Sequence, residues 1–301
     1  MPMPQPQYLN ANGQQLAVYH WEGEQTPQPK EVVLLVHGYP DSAAVWHPLA
    51  QQLKDEFSVY AYDVRGAGLS SKPKGKYHFQ LSQLRDDLFA VIDSVSPHQP
   101  VHLVAYDWGA PQAWEALFTP EQQHRIASLS TAAPAMDHAG QWFHQHVKSL
   151  SPRAWYKASK RLVGSSYMMF FQLPWLPEAV WKYYLAQRWA RHLARLEGKP
   201  IEVANTLKSD AVHSLGLYRA NLLPALLRPR QRHTKVPVQL LIMQQDPFIT
   251  PELFEGVEET ASTVERQYIQ AGHWWALSAV NTVAPFIRHF IQQHAFQEIS
   301  K

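Results

Sequence analysis

Short, mostly apolar runs recur along this chain, and each is followed by a segment of helical period. They are Glu31–His37 (EVVLLVH), Ser58–Tyr62, Val101–Tyr106, Ile126–Ala132 and Val236–Met243. A run apolar on both alternating sets of positions, as VVLLV at 32–36 is, belongs to a strand buried on both faces. Helical patterns fill the gaps, through Trp46, Leu49 and Leu53, then Leu81–Val95, then Ala110–Phe118, with a last helix from Trp275 to Gln293. Strand alternating with helix predicts an α/β fold built on a mostly parallel, doubly wound sheet. Glu265–Ile269 adds a strand, and residues 7–21 read as a hairpin around the strong turn pair Asn12-Gly13. Eight strands are therefore expected. The rhythm breaks near Pro134, and 135–233 carries helix-period apolar residues with no convincing strand. This predicts a core of 1–134 and 234–301, with 135–233 as a helical insertion lying over the sheet.

Bulk properties remove several classes. The chain of 301 residues is 46% hydrophobic and 17% charged, as globular proteins are. Lys+Arg 27 against Asp+Glu 25 leaves a net charge of +2 and no long run of one sign, so charge gives no support for nucleic-acid or acidic-surface binding. The absence of cysteine excludes disulfides, thiolate zinc sites and cysteine catalysis. The opening MPMPQPQ shows no signal-peptide pattern, and no apolar stretch reaches the ~18 residues a membrane span needs. A cytoplasmic protein with no membrane partner is the resulting expectation.

Asp107 ends the strand Val101–Tyr106 and faces the start of a helix, in Ala105-Tyr106-Asp107-Trp108-Gly109. Taken alone, such an aspartate is more often a helix N-cap. Small residues on both sides also permit the tight strand-to-helix turn that pushes a nucleophile out at the carboxyl edge of a sheet. Asp246 follows the strand VPVQLLIM, and His273 follows the last strand. Nucleophile, acid and histidine in that chain order, each at a strand end, is the α/β-hydrolase arrangement. His37-Gly38-Tyr39-Pro40 occupies the loop after the third strand, so the N–H groups of Tyr39 and Trp108 are the candidate oxyanion hole. Asp137 is a rival for the acid, in a weaker context. Asp63 and Arg65 read as structural partners, and His144 with His146 read as a solvated face, with no metal site expected.

These residues resemble the α/β-hydrolase superfamily and, within it, the epoxide hydrolases and their haloalkane dehalogenase relatives. The matching segments are HGYPDS at 37–42, DVRGAGLS at 63–70, YDWGA at 106–110, QDPF at 245–248 and GHW at 272–274. Ala105-Tyr106 departs from the Gly-His usual before the nucleophile. In the insertion, YMMFFQLP at 167–174 and Leu217-Tyr218-Arg219 are similar to two cap segments of that family, and the resemblance implies that Tyr167 and Tyr218 donate protons. Glu178 fits the same cap pattern and reads as structural. Phe170, Phe171 and Trp274 are the expected substrate contacts.

The implied activity is that of a hydrolase acting on ether bonds, opening a small apolar epoxide with water to a vicinal diol, without a cofactor. Asp107 would form the ester, and His273, oriented by Asp246, would activate water against it. A haloalkane or haloacid dehalogenase is the alternative, disfavoured by Tyr39 where that family carries Asn. A non-catalytic ligand binder is the other, and it would have no need of Asp107, Asp246 and His273 together. A homodimer stays open.

Overall fold

The computed structural model describes residues 2–24, 30–149 and 151–296. Asn12-Gly13 turns the chain between β1 (Gln7–Ala11) and β2 (Gln14–Trp21), both turn residues having positive φ. The remaining strands are β3 (Val32–Val36), β4 (Ser58–Tyr62), β5 (Val101–Ala105), β6 (Ile126–Thr131), β7 (Val238–Met243) and β8 (Val264–Ile269). They form one sheet in the order β1-β2-β4-β3-β5-β6-β7-β8. The pairs β1–β2 and β2–β4 are antiparallel and the rest parallel. Every residue of β3, β5 and β7 is buried, the polar His102 and Gln239 being paired with Ser128 and Ser130, and each Val or Leu so buried contributes about 1.5–3 kcal/mol. Edge strand β8 alternates less cleanly and stays half-exposed for most of its length.

Helices cover both faces. α1 (His47–Leu53) lies on one face, and α2 (Leu81–Val95) packs with α3 (Gly109–Leu117) on the other. Between β6 and β7 come α4 (Met136–Lys148), α5 (Pro152–Gly164), α6 (Ser166–Phe170), α7 (Leu176–Val180), α8 (Trp189–Glu197), α9 (Leu207–His213) and α10 (Gly216–Leu227). A π-helical stretch, Trp181–Leu185, leads out of α7. This insertion is the cap, and α10 rests on α4 and on the loop before α2. The last helix expected from the sequence is two pieces, α11 (Trp275–Ser278) and α12 (Val280–Gln293). Ala279, at φ −135°, breaks the helical path between them, and helical periodicity on both sides hides the break.

Candidate active site

The turn after β5 sets the site. Asp107 takes φ +47°, a region that L-residues rarely occupy, and Gly109 donates its N–H back to the Tyr106 carbonyl at 2.9 Å. Two glycines make room. A Cβ on Gly109 would stand 2.1 Å from the Val36 carbonyl oxygen, so only glycine lets α3 start against β3. A Cβ on Gly38 would stand 2.3 Å from Asp107 Oδ1 and 2.6 Å from the Trp108 nitrogen. Gly38 thus allows the loop after β3 to lie directly on the turn.

That approach fixes the carboxylate. Asp107 Oδ1 accepts the Tyr39 N–H at 2.5 Å, while Oδ2 lies 3.5 Å from His273 Nε2. The carboxylate therefore points across to the neighbouring loop instead of capping α3. His273 Nδ1 lies 2.7 Å from Asp246 Oδ2, and Asp246 Oδ1 accepts the N–H groups of Phe248 and Ile249 at 2.7 and 2.9 Å. Burial alone would depress the imidazole of His273. The charge of Asp246, with hydrogen bonds to Asp107 and Asp246, outweighs it and holds the group well above 6.5. The structure so joins Asp246 to His273, whereas Asp137 accepts from the Arg230 backbone and from Arg232.

The cap closes over these groups with rings. Tyr218 is buried and packs edge-on against Trp108, Tyr39 and Phe171 at centroid distances of 4.9, 5.1 and 5.0 Å. Tyr167 lies 6.2 Å from Tyr218, ring to ring. Burial, then the neighbouring Tyr167 and the Asp107 charge, push the Tyr218 phenol well above 10, so it keeps its proton. The segments that carry the two tyrosines are tied together. Arg219 donates to the carbonyls of Phe171 and Leu173 at 2.9 and 2.5 Å and pairs with Glu178 at 2.5 and 3.0 Å. Gln172 donates to the Tyr218 carbonyl at 3.1 Å.

Two cavities meet at Asp107, Tyr167, Tyr218 and Phe248. One, of about 170 Å³, runs past Met136, Trp142, Met168, Leu222 and Leu226. The other, of about 260 Å³, is lined by Phe170, Phe171 and Trp274 together with Trp181, Trp189 and His192. The three expected substrate contacts therefore fall on one side of the nucleophile, and the first cavity went unread. Its Met and Leu residues lie in the ordinary apolar stripes of α4 and α10, which carry no separate signal. Phe248 was missed as well, although it adjoins Asp246 in sequence and its ring lies 5.1 Å from that of His273.

Tyr106, the departure from the family pattern, has a partner. Its hydroxyl donates to Asp41 Oδ2, which also accepts Trp274 Nε1–H at 3.0 Å. Burial pushes the Asp41 carboxyl up to about 6, against the opposing pull of those two hydrogen bonds. Asp63 accepts from Ala43 N, Tyr19 Oη and Leu69 N at 2.8 Å each, and Arg65 makes a buried two-pronged pair with Asp87 at 2.6 Å. His144 and His146 are half-buried, not solvated, and each meets a backbone carbonyl, of Leu226 and Trp142 respectively. Among the described residues no three His, Asp or Glu side chains converge as metal ligands would.

Residues 31–279 match the family model described as alpha/beta hydrolase fold, and the chain belongs to that family. Among curated proteins, it is 32% identical over 290 residues to the "Probable oxidoreductase EphD" of Mycobacterium tuberculosis, covering 93% of this chain and 48% of that protein. It thus spans about half the length of that relative. It is 26% identical to the "Epoxide hydrolase srdG" of Neurospora crassa over 89% of this chain and 88% of that one. Among solved structures, an epoxide hydrolase of Bacillus megaterium in complex with an inhibitor superposes with a TM-score of 0.75 at 21% identity, over 95% of this chain and 100% of that one.

Proposed function

We propose that this protein converts an apolar epoxide to a vicinal diol through an ester on Asp107. One observation carries the reading: an aspartate, not a serine, stands at the elbow and shares its cavities with two cap phenols. A carboxylate needs no base to attack an sp3 carbon. Asp107 bonds to one epoxide carbon, the C–O bond breaks, and the leaving oxygen takes a proton from Tyr167 or Tyr218. Ester formation removes the Asp107 charge, one of the causes that keep His273 protonated. The imidazolium then loses its proton, which restores the phenol through solvent. Neutral His273, oriented by Asp246, takes a proton from water as that water attacks the ester carbonyl. The Tyr39 and Trp108 N–H groups receive the oxyanion, and its collapse expels an alkoxide that takes the proton of the new Asp107 carboxyl, which releases the diol and restores the Asp107 carboxylate beside protonated His273.

This order of bond making fixes where oxygen goes. In a single turnover in heavy-oxygen water, mass spectrometry of a proteolytic digest should find the solvent oxygen on Asp107. The first diol released should carry none. Solvent label in the diol of the first turnover, with Asp107 unlabelled, would mean direct attack of water and would sink the mechanism.

A further inference from the structure

The small net charge conceals a sharp division. Of the 27 lysines and arginines, 15 lie in residues 135–233, against only 5 of the 25 acids. The rest of the chain carries 12 cations and 20 acids. A basic cap therefore sits on an acidic core, a distribution that the total of +2 cannot reveal.

Two stretches carry ten of the fifteen cations, 148–161 and 173–199, and only the second joins them to exposed large rings beside a cavity that reaches Asp107. Lys182, Arg188, Arg191, Arg195 and Lys199 are all exposed, and among the described residues none lies within ion-pair distance of a carboxylate. The two acids of the stretch are engaged elsewhere. Glu178 pairs with Arg219, and Glu197 accepts the backbone N–H of Trp274 at 3.0 Å. The same face exposes large rings: Trp175 at 82%, Tyr183 at 68% and Tyr184 at 56%, flanked by exposed Leu173 and Leu176. Trp175 is held at φ +60°, a costly conformation for a bulky residue, and it still projects into water. Arg188 lies over the Tyr184 ring at 4.1 Å and Lys182 over Tyr183 at 5.1 Å.

Behind this face is the larger cavity. The residues between the exposed ones, Trp181, Leu185 and Trp189, line it, and so does His192, which is also exposed. An apolar passage therefore begins at the basic aromatic face and ends at Asp107. Cations interleaved with Trp and Tyr, around an apolar opening, complement a surface with negative headgroups over hydrocarbon. A two-fold contact of this stretch with its own copy would set like charge against like, and neither an acidic protein surface nor a nucleic acid would have use for the exposed leucines and the apolar mouth.

We infer that the cap face 173–199 docks on an anionic lipid surface, where the mouth at His192 admits an apolar epoxide dissolved in it. Docking is peripheral: among the described residues no helix is long and apolar enough to cross a membrane. The docking claim stands on charge and exposure alone, and only the cargo rests on the reading proposed above.

Vesicle sedimentation of the full chain tests it. The protein should pellet with vesicles of phosphatidylcholine containing phosphatidylglycerol, stay in solution with phosphatidylcholine alone, and be released by high salt. Reversing three charges together (Lys182→Glu, Arg188→Glu, Arg191→Glu) should weaken the association by well over the roughly hundredfold that loss of three cations accounts for. The Gln versions of the three should fall between, with unchanged far-UV circular dichroism. Both variants should keep their turnover of a dissolved epoxide and lose the advantage on one carried in anionic vesicles. Asp107→Asn should bind vesicles as the parent does, so a failure of the proposed chemistry is separable from a failure of docking. Equal binding to neutral vesicles, no binding at all, undiminished binding by the reversed variant, or tighter binding to a single-stranded RNA oligonucleotide than to anionic vesicles would each overturn the inference.

Discussion

The two halves of the site are held by different forces. On the core side, Asp107, Asp246 and His273 sit at strand ends and are fixed by short polar contacts, the Tyr39 N–H to Asp107 at 2.5 Å and Asp246 to His273 at 2.7 Å. Hydrogen bonds to charged groups are directional and contribute about 1.5–3 kcal/mol each, so this side is preset by the backbone. On the cap side, Tyr167 and Tyr218 are placed by edge-on ring packing and by one arginine reaching two carbonyls and a carboxylate. Ring contacts tolerate sliding, and the chain there belongs to a different set of helices. On the proposed mechanism the core side supplies the nucleophile and the base for ester hydrolysis, while the cap supplies the proton that ester formation needs.

That contrast can be broken most severely at the phenols. Replacing Tyr167 and Tyr218 together by Phe should lower the rate of ester formation by about 10²–10⁴-fold, the usual worth of a general acid. Ester already formed should decay at the parent rate, because the core side is untouched. Rapid-quench measurement of the alkyl-enzyme checks both steps, and equal slowing of the two would show that the phenols do not act separately.

A smaller effect should follow from loosening the cap without touching a phenol. Arg219→Gln removes the pair with Glu178 and the bonds to Phe171 and Leu173. A loss of about 2 kcal/mol is expected, read as a lower midpoint in urea unfolding, since the pair is only partly shielded. Ester formation should slow more than ester hydrolysis. An unchanged midpoint would remove Arg219 as the tie between the two tyrosine segments.

The smallest effect is a pH dependence on the core side. Asp41 is raised from 3.8 to about 6. The folded state therefore binds the proton more tightly than the unfolded chain does. The stability this contributes is complete below the unfolded value and is lost as pH rises through about 6. His273, raised well above 6.5, acts in the same direction at higher pH. Asp41→Asn should then flatten the fall in stability between pH 4 and 7, which paired urea titrations of parent and variant would reveal. Parallel curves would mean that Asp41 ionises without regard to folding.

Much of the core was legible because its signals are local. Mostly apolar runs mark the buried strands, Asn12-Gly13 marks the hairpin, and small residues around Asp107 mark the elbow. Other features were opaque because they depend on what meets in space. The break at Ala279 lies inside a continuous helical pattern. The first cavity is lined by Met136, Trp142 and Leu226, whose spacing reads as an ordinary helix stripe. Tyr106 was an unexplained departure until Asp41, 65 residues earlier in the chain, proved to accept its hydroxyl proton.

By itself the sequence determined the α/β alternation, the place of the insertion and the order of the three polar residues at strand ends. These follow from hydrophobic period and turn chemistry, which act over a few residues. Only the tertiary structure decided that His273 binds Asp246 while Asp137 goes to arginines, and that two cavities meet at Asp107. Each of those is a distance between residues far apart in the chain, set when helices pack on the sheet, and no local pattern encodes it.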